Sequence, residues 1–335
     1  MKTTASEIAR EAGVSSATVD RVLNNRDGVR PRTREIVMQV AARLGYFGPM
    51  HSAAKAAVRM DFILPAGSNS FMKALRQHLI EEAQSYGNCD VKIHQIEVFD
   101  PGTLAEQLLA LRGATDAVGL VALDHPEVRE AVNALAQTGV HICTIVSDIP
   151  TVHKVGYVGI DNRAAGRLAG LLVGRLLPTD RQHKVALFLG SHAYRGHEER
   201  EMGFRSILSE EFPDLTIAAL TEVSDDRDLA YEETLRILEK NKINAIYSIG
   251  AGNQGIARAL QEKGISRKTV FVAHDITEAT RVMLIDRTLD AVIDQNPKVQ
   301  AREVIKLLAS TVHGKSEPEY PPRLQVILRE NIPSY

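Results

Sequence analysis

This 335-residue chain is missing several features that would place it in other protein classes. No stretch approaches the ~20 apolar residues of a membrane-spanning helix, so no such helix is expected. The N-terminal region has no apolar segment of the secretory kind, so no signal peptide is expected. There are only two cysteines, Cys89 and Cys143, and they fall in no metal-ligand or Cys-x-x-Cys spacing. That excludes a disulfide framework and predicts buried thiols in a reducing compartment. There is no Gly-x-Ser-x-Gly elbow, no low-complexity tract and no obvious repeat. His192 and the pair His197-Glu198 are spaced in a way that does not put two ligands on one helix face, so neither a metal nor a hydrolytic centre is expected. Together these absences predict a soluble cytoplasmic protein with no metal, cofactor or membrane partner.

What is present begins with a basic head. Residues 4–46 hold three short helical patterns, marked by Ile8, Ala9 and Ala12; by Val19, Val22 and Leu23; and by Ile36, Val37, Val40 and Leu44. Thr4 and Glu7 form a capping-box pair, Gly13 permits a tight turn, and Ser15 can cap the second helix. Pro31 sits where a third helix would begin, and Gly45 where it would end. Two helices joined by a turn of this length form a helix-turn-helix. Residues 1–59 carry two lysines and eight arginines against five acidic residues, whereas the whole chain has a net charge of −2. A basic head on an acidic body is the distribution expected for phosphate contact, which supplies most non-specific nucleic-acid affinity.

From residue 60 the pattern changes. Runs rich in β-branched residues at 60–65, 91–98, 116–123, 140–146, 155–160, 184–190, 215–222, 245–249, 269–274, 291–295 and 324–328 alternate with amphipathic helical segments. Such alternation implies parallel sheets covered on both faces. Eleven strands are many for one twisted sheet, so two α/β lobes are expected, with a ligand site beyond the carboxyl ends of the strands. The segment 48–59 reads as a linker between head and body.

The run AGVSSATVDRVLN, followed by RPRTREIV and LGY, resembles the head of the LacI/GalR family of bacterial transcription regulators. In the body, YVGIDNRAAGRLAG and the step Arg200-x-x-Gly203-Phe204 are similar to that family's sugar-binding core, and through it to two-lobed periplasmic ribose-type binding proteins. The implied fold is an all-α helix-turn-helix head (1–47), then a two-lobed type I α/β body (60–335). Lobe 1 would comprise about 60–160 and 296–321, and lobe 2 about 161–295 and 322–330, with chain crossings near 161, 295 and 322. The resemblance implies a repressor that binds a palindromic operator as a homodimer. No run like the family's tetramer-forming tail follows the last strand candidate, so a dimer is the expected state.

The second helix is expected to enter the major groove with Ser16, Ala17, Asp20 and Arg21 facing outward and Thr18 near phosphate. Arg32, Thr33 and Arg34 at the third helix start, with Thr4, Ser15, Asn24 and Lys55, complete the expected DNA-facing set. Asp20 stands where the family carries a small hydroxyl residue. Its carboxylate either accepts from a cytosine amino group or pairs with Arg21 or Arg26.

The resemblance also implies a ligand set. Asn69 would hold a sugar by hydrogen bonding and Phe71 by ring stacking. Ser147, Asp148, Arg200, Asn253, Asp275 and Gln295 would supply the polar contacts. These residue types are what a sugar requires, and they stand at the ends of strand candidates. A competing reading comes from residues 250–255, a literal Gly-x-Gly-x-x-Gly after a strand, with Asp275 ending the next one; this would suit a regulator that senses a nicotinamide dinucleotide. The motif lies late in the fold, away from the first βα unit that usually begins a dinucleotide domain.

The linker departs from the family as well. Where a leucine is wedged into the operator's minor groove, this chain has Ala56, with Val58 as the substitute in a shifted register. An alanine methyl is too small to unstack a base step. In a circular-permutation assay the protein is therefore expected to bend its operator only weakly. A sharp central kink would overturn that expectation.

Overall fold

The computed structural model describes residues 4–23, 29, 31–44, 57–67, 69–97, 99–179, 181–315 and 321–334. It contains two compact units, Met1–Ala57 and Val58–Tyr335. Of the expected DNA-facing residues, Asn24, Lys55 and Ala56 lie outside the described residues.

The head folds around very little apolar volume. Helices α1 (Ala5–Ala12), α2 (Ser16–Leu23) and α3 (Pro31–Arg43) enclose Ile8, Val19 and Val37, which are fully buried, with Val22 and Val40 beside them. So small a core depends on well-made helix ends. Thr4 Oγ1 accepts from the Glu7 amide, the Glu7 carboxylate accepts from the Thr4 amide at 2.7 Å, and Gly13 closes α1 at φ 65°. Ser15 Oγ accepts from the Thr18 amide at the start of α2. Because Val19 and Val22 turn inward, Ser16, Ala17, Asp20 and Arg21 are exposed on the opposite face of α2.

The body contains β1 (Val58–Pro65), α4 (Ser70–Tyr86), β2 (Cys89–Ile96), α5 (Pro101–Ala110), β3 (Ala117–Leu120), α6 (Pro126–Ala136), β4 (His141–Ile145) and β5 (Gly156–Val158). These are followed by α7 (Asn162–Leu176), β6 (His183–Leu189), α8 (Arg195–Glu211), β7 (Leu215–Glu222), α9 (Arg227–Lys240), β8 (Ala245–Ser248), α10 (Asn253–Glu262), β9 (Val270–His274), α11 (Glu278–Ile285), β10 (Ala291–Asp294), α12 (Pro297–Val312) and β11 (Gln325–Ile327). The strands form two sheets, ordered β2-β1-β3-β4-β5 and β11-β10-β9-β8-β6-β7. All neighbours are parallel except β10 and β11. Each sheet reverses direction once, after β2 and again after β7. The crevice at each reversal opens at the strand carboxyl ends, where ligands bind in such folds.

Three connections pass between the lobes. Helix α7 packs against β8, β9 and β10, α12 returns to β1, β3 and β4, and β11 goes back to pair with β10. The linker is shorter than its sequence suggested. Val58 is already in β1: it is 2% exposed, and its amide donates to Asn88 O. A buried core valine is not available as a minor-groove wedge. Arg59, the next residue, pairs with the Asp116 carboxylate, with Nη2 to Oδ1 at 2.6 Å.

The glycines of the family-like core motif have a packing role. A Cβ at Gly166 would lie 1.9 Å from Arg200 O, and one at Gly203 would lie 2.1 Å from Arg163 O. Helices α7 and α8 therefore touch backbone to backbone, and this contact fixes where Arg200 projects. Alanine is the better helix former by about 1 kcal/mol, so a solvent-facing glycine would gain from the exchange. Gly203→Ala is expected instead to destabilise the body by about 1–3 kcal/mol through overpacking. Denaturant unfolding measures it, and an unchanged or raised midpoint would refute the backbone contact.

Candidate functional site

A cavity of ≈ 300 Å³ lies between the lobes, at the carboxyl ends of strands from both sheets. Lobe 1 contributes Asn69 and Phe71 after β1, Val121 after β3, and Val146 and Ser147 after β4. Lobe 2 contributes Tyr194, His197 and Arg200 after β6, Asp225 and Arg227 after β7, residues 250–254 after β8, His274 at the end of β9 with Asp275 and Thr277 after it, and Gln295 after β10. Its size is at the lower end of the small-molecule range.

Seven of the eight residues expected at the site meet there: Asn69, Phe71, Ser147, Arg200, Asn253, Asp275 and Gln295. Asp148 does not line the cavity. Its carboxylate accepts from Thr144 Oγ1 at 2.5 Å and pairs with Lys154 Nζ at 2.8 Å, so a lysine within lobe 1 draws it aside. Several lining residues were missed in the sequence, chiefly Asp225, His197 and His274. Asp225 follows β7 and His274 ends β9, so the rule that ligands bind at strand ends could have found both.

The polar groups are held in place by one another. Arg200 is 3% exposed; its Nε donates to Asn162 Oδ1 and its Nη1 to Ile249 O, both at 2.8 Å. Those bonds fix the guanidinium plane, and among the described residues Nη2 has no hydrogen-bond acceptor. Gln295 Nε2 donates to both carboxylate oxygens of Asp275, at 3.0 and 3.2 Å. Tyr247 Oη and His274 Nε2 are 2.8 Å apart.

Among the described residues, six buried side-chain polar atoms have no hydrogen-bond partner, and three of those belong to cavity residues: Asn253 Oδ1, His274 Nδ1 and Gln295 Oε1. Unsatisfied buried groups are rare and costly, so their concentration here marks a place built to receive something polar. Backbone strain collects at the same place. Val146 (φ 66°), Asp225 (φ 54°) and Asp275 (φ 69°) all take left-handed conformations at strand ends, which is notable for a β-branched valine.

Burial and the charge of Arg200 set the electrostatics. Burial lowers His197 to about 4, with Arg200 acting in the same direction, so its ring is neutral near pH 7. Burial also holds His274 well below the usual imidazole range. Burial raises Asp275 to about 7, against the opposing pull of Arg200 and Gln295. Among the described residues no cluster of His, Cys, Asp or Glu is placed to hold a metal ion, and no helix is long and apolar enough to cross a membrane.

The glycine-rich turn 250–255 is not a phosphate cradle. The Asp225 carboxylate already accepts from the Ala251 amide at 2.8 Å. A Cβ at Gly250 would lie 2.6 Å from Asp225 Oδ1, and one at Gly255 would lie 1.8 Å from Arg227 O. These glycines admit a carboxylate and a neighbouring helix, and the carboxylate would repel a pyrophosphate. The dinucleotide reading therefore finds no support.

With that geometry in hand, the chain can be compared with known proteins. Residues 4–48 match the lacI family of bacterial regulatory proteins, and residues 60–316 match a periplasmic binding protein domain. The chain belongs to the lacI family of transcription regulators. It is similar to the HTH-type transcriptional regulator DegA of Bacillus subtilis, with 27% identity over 256 residues, covering 74% of this chain and 73% of DegA. Catabolite control protein A of Priestia megaterium is 24% identical over 283 residues, covering 79% and 80%. Among solved structures, GanP, a glucose-galactose binding protein from Geobacillus stearothermophilus, superposes with a TM-score of 0.76 at 24% identity, over 84% of this chain and 100% of that one. A solute binding protein of Burkholderia graminis in complex with D-arabinose gives 0.77 at 19%, over 84% and 99%. These likenesses establish the body's fold.

The carboxyl of Asp275 gives a pH prediction. Its folded value of about 7 lies above its unfolded value near 3.9, so between about pH 4 and pH 7 the folded state binds the extra proton. This group's contribution to stability is therefore full below that window and is lost as pH rises through 7. The melting temperature of the wild type is expected to fall between pH 5 and pH 8 more steeply than that of Asp275→Asn. Parallel pH profiles would refute the assignment.

Proposed function

We propose that this lacI-family regulator is a homodimeric repressor whose grip on a palindromic operator is set by a sugar, or a related polyhydroxylated ligand, bound between the lobes. The observation that carries the ligand class is the Arg200–Asp275–Gln295 group beside the ring of Phe71. A sugar hydroxyl donates and accepts at once, and it needs carboxylate, amide and guanidinium partners together with an apolar face. The solved neighbours named for glucose-galactose binding and for D-arabinose are consistent with this class.

On the DNA side, Ser16, Ala17, Asp20 and Arg21 on the exposed face of α2 are the proposed base-reading residues. Thr4, Ser15 and Thr18, with Arg32 and Thr33 on α3, are the proposed backbone contacts. Arg34 fits a structural role better, because its Nη1 reaches Val22 O at the end of α2 at 3.5 Å. The cleft is assigned a binding role and no catalytic one, and the site of action is the cytoplasm, where the operator is. Ligand binding that favours one arrangement of the lobes shifts the operator affinity of the dimer by its differential affinity for the two states.

A thermal-shift screen of sugars and polyols identifies the ligand by mass action. Arg200→Ala and Asp275→Ala should then each weaken it by about 1.5–3 kcal/mol, the worth of a hydrogen bond to a charged group, with operator binding retained. Calorimetry reads the first effect and gel shift the second. Undiminished ligand affinity in both variants would sink the site assignment.

A further inference from the structure

Asn69 was expected to contact the ligand, but in the fold its amide is used differently. Its Oδ1 caps α4, accepting from the Phe71 amide at 3.0 Å and the Met72 amide at 3.3 Å. With the oxygen committed to the helix, Nδ2 points across the cleft and donates to Asp225 Oδ2 at 3.1 Å. The other Asp225 oxygen accepts from the Ala251 amide. Each end of this bridge is thus anchored in its own lobe by a backbone bond, and neither side chain can swing away without breaking one.

The molecule makes unusual room for the bridge. Ser224 and Asp225 are consecutive non-glycine residues in the left-handed region, at φ 51° and 54°. A Cβ at Gly190 would lie 2.4 Å from Asp225 Oδ1, and one at Gly250 would lie 2.6 Å from it. Two glycines and two strained residues bring one carboxylate to this point. A second cavity, ≈ 240 Å³, lies on the far side. It shares Asn69, Met72, Tyr194 and Asp225 with the main cleft, so these four residues stand between the two chambers.

We propose that the Asn69–Asp225 bridge is a specificity wall: it closes one end of the cleft, limits the ligand to a single-ring or similarly compact polyhydroxylated compound, and fastens the lobes over it. This rests on the sugar reading above. Opening the wall would merge the chambers into a space suited to a two-ring ligand. Because the bridge spans the lobes, it also contributes to the affinity of any ligand that is enclosed.

The bridge can be inverted chemically. Asn69→Asp keeps a cap for α4 but sets two carboxylates against each other. Asp225→Asn cannot accept from both Ala251 and Asn69 as the carboxylate does, so one of the two bonds is lost. The double variant restores a complementary pair, with donor and acceptor exchanged. In the full-length protein, calorimetry with D-ribose, D-arabinose, D-glucose and D-galactose, and with maltose and lactose as two-ring probes, should show single-ring binding only. For the sugar that binds, each single variant should lose at least about tenfold in affinity, and the double variant should recover most of it, because the part-buried bridge is broken in each single variant and remade in the double. Hydrogen exchange at the Ala251 amide, which needs no ligand, should quicken in the single variants and slow again in the double.

Equal binding of maltose or lactose by the wild type would overturn the size limit while leaving the sugar reading intact. A double variant no better than the worse single would overturn the bridge. If none of the six sugars binds the wild type, the sugar reading fails for this panel and the size limit fails with it; the exchange measurement still decides the bridge.

Discussion

A guanidinium buried to 3% exposure needs acceptors and a fixed position, and Arg200 obtains both from the contact between α7 and α8. Gly166 and Gly203 let the two helix backbones touch, which sets Asn162 at the start of α7 against Arg200 Nε. Much of the chemistry of the cleft follows from that one placement. The cation opposes protonation of His197 and His274, which burial already keeps neutral, and it offsets part of the burial cost of Asp275. Both neighbours that accept from Arg200 are neutral oxygens. Its charge is therefore not cancelled locally and acts across the cavity. Buried charges are expensive unless they are paired and bonded, and keeping one here is intelligible if a ligand completes its bonding.

The strained backbone belongs to the same design. A strand aims its side chains above and below the sheet, whereas a ligand beyond the strand ends needs groups turned toward the strand axis. Left-handed residues at Val146, Asp225 and Asp275 make those turns. Each costs of order 1–3 kcal/mol outside glycine, so the surrounding structure has to hold them. Backbone bonds do this: Asp275 N donates to Ile293 O, and Val146 N donates to Val158 O. Strain at these strand ends is thus opposed by sheet bonds that the strained residues' own amides make.

Much of this could be read in the sequence, for physical reasons. All eleven strand candidates became strands; the inner ones, covered on both faces, are apolar almost throughout, whereas the edge strands β2 and β7 mix exposed and half-buried positions. The head was legible through its caps, since Thr4, Glu7 and Gly13 are local signals that do not depend on tertiary context. The errors came where a contact partner that spacing does not reveal decides the outcome. Asp148 was expected in the cleft from its place after β4, and Lys154, six residues on, holds it elsewhere. The glycines at 250–255 looked like a phosphate loop because sequence spacing cannot reveal that Asp225, twenty-five residues earlier, fills the space they leave. Val58 looked like linker because the edge of a strand carries no sign of what it will pair with.

The lobes are held together by more than the three chain crossings. Tyr194 leaves lobe 2 at the start of α8 and buries its ring in the lobe 1 core, 5.2 Å from Phe99. Beside it, Asp124 N donates to Ala193 O and Gly196 N to Ser147 Oγ. The first turn of α8 is therefore docked on lobe 1 while the same helix, one turn later, presents Arg200 to the cavity. Any ligand that pulls on Arg200 also pulls on the seat of Tyr194. The link is short and made of packed atoms, and packed interfaces tend to switch between discrete arrangements rather than deform continuously. A regulator needs just such a response, because graded yielding at the cleft would reach the DNA-binding head as a small bias. Two alternative seatings of one helix turn would reach it as a change of state.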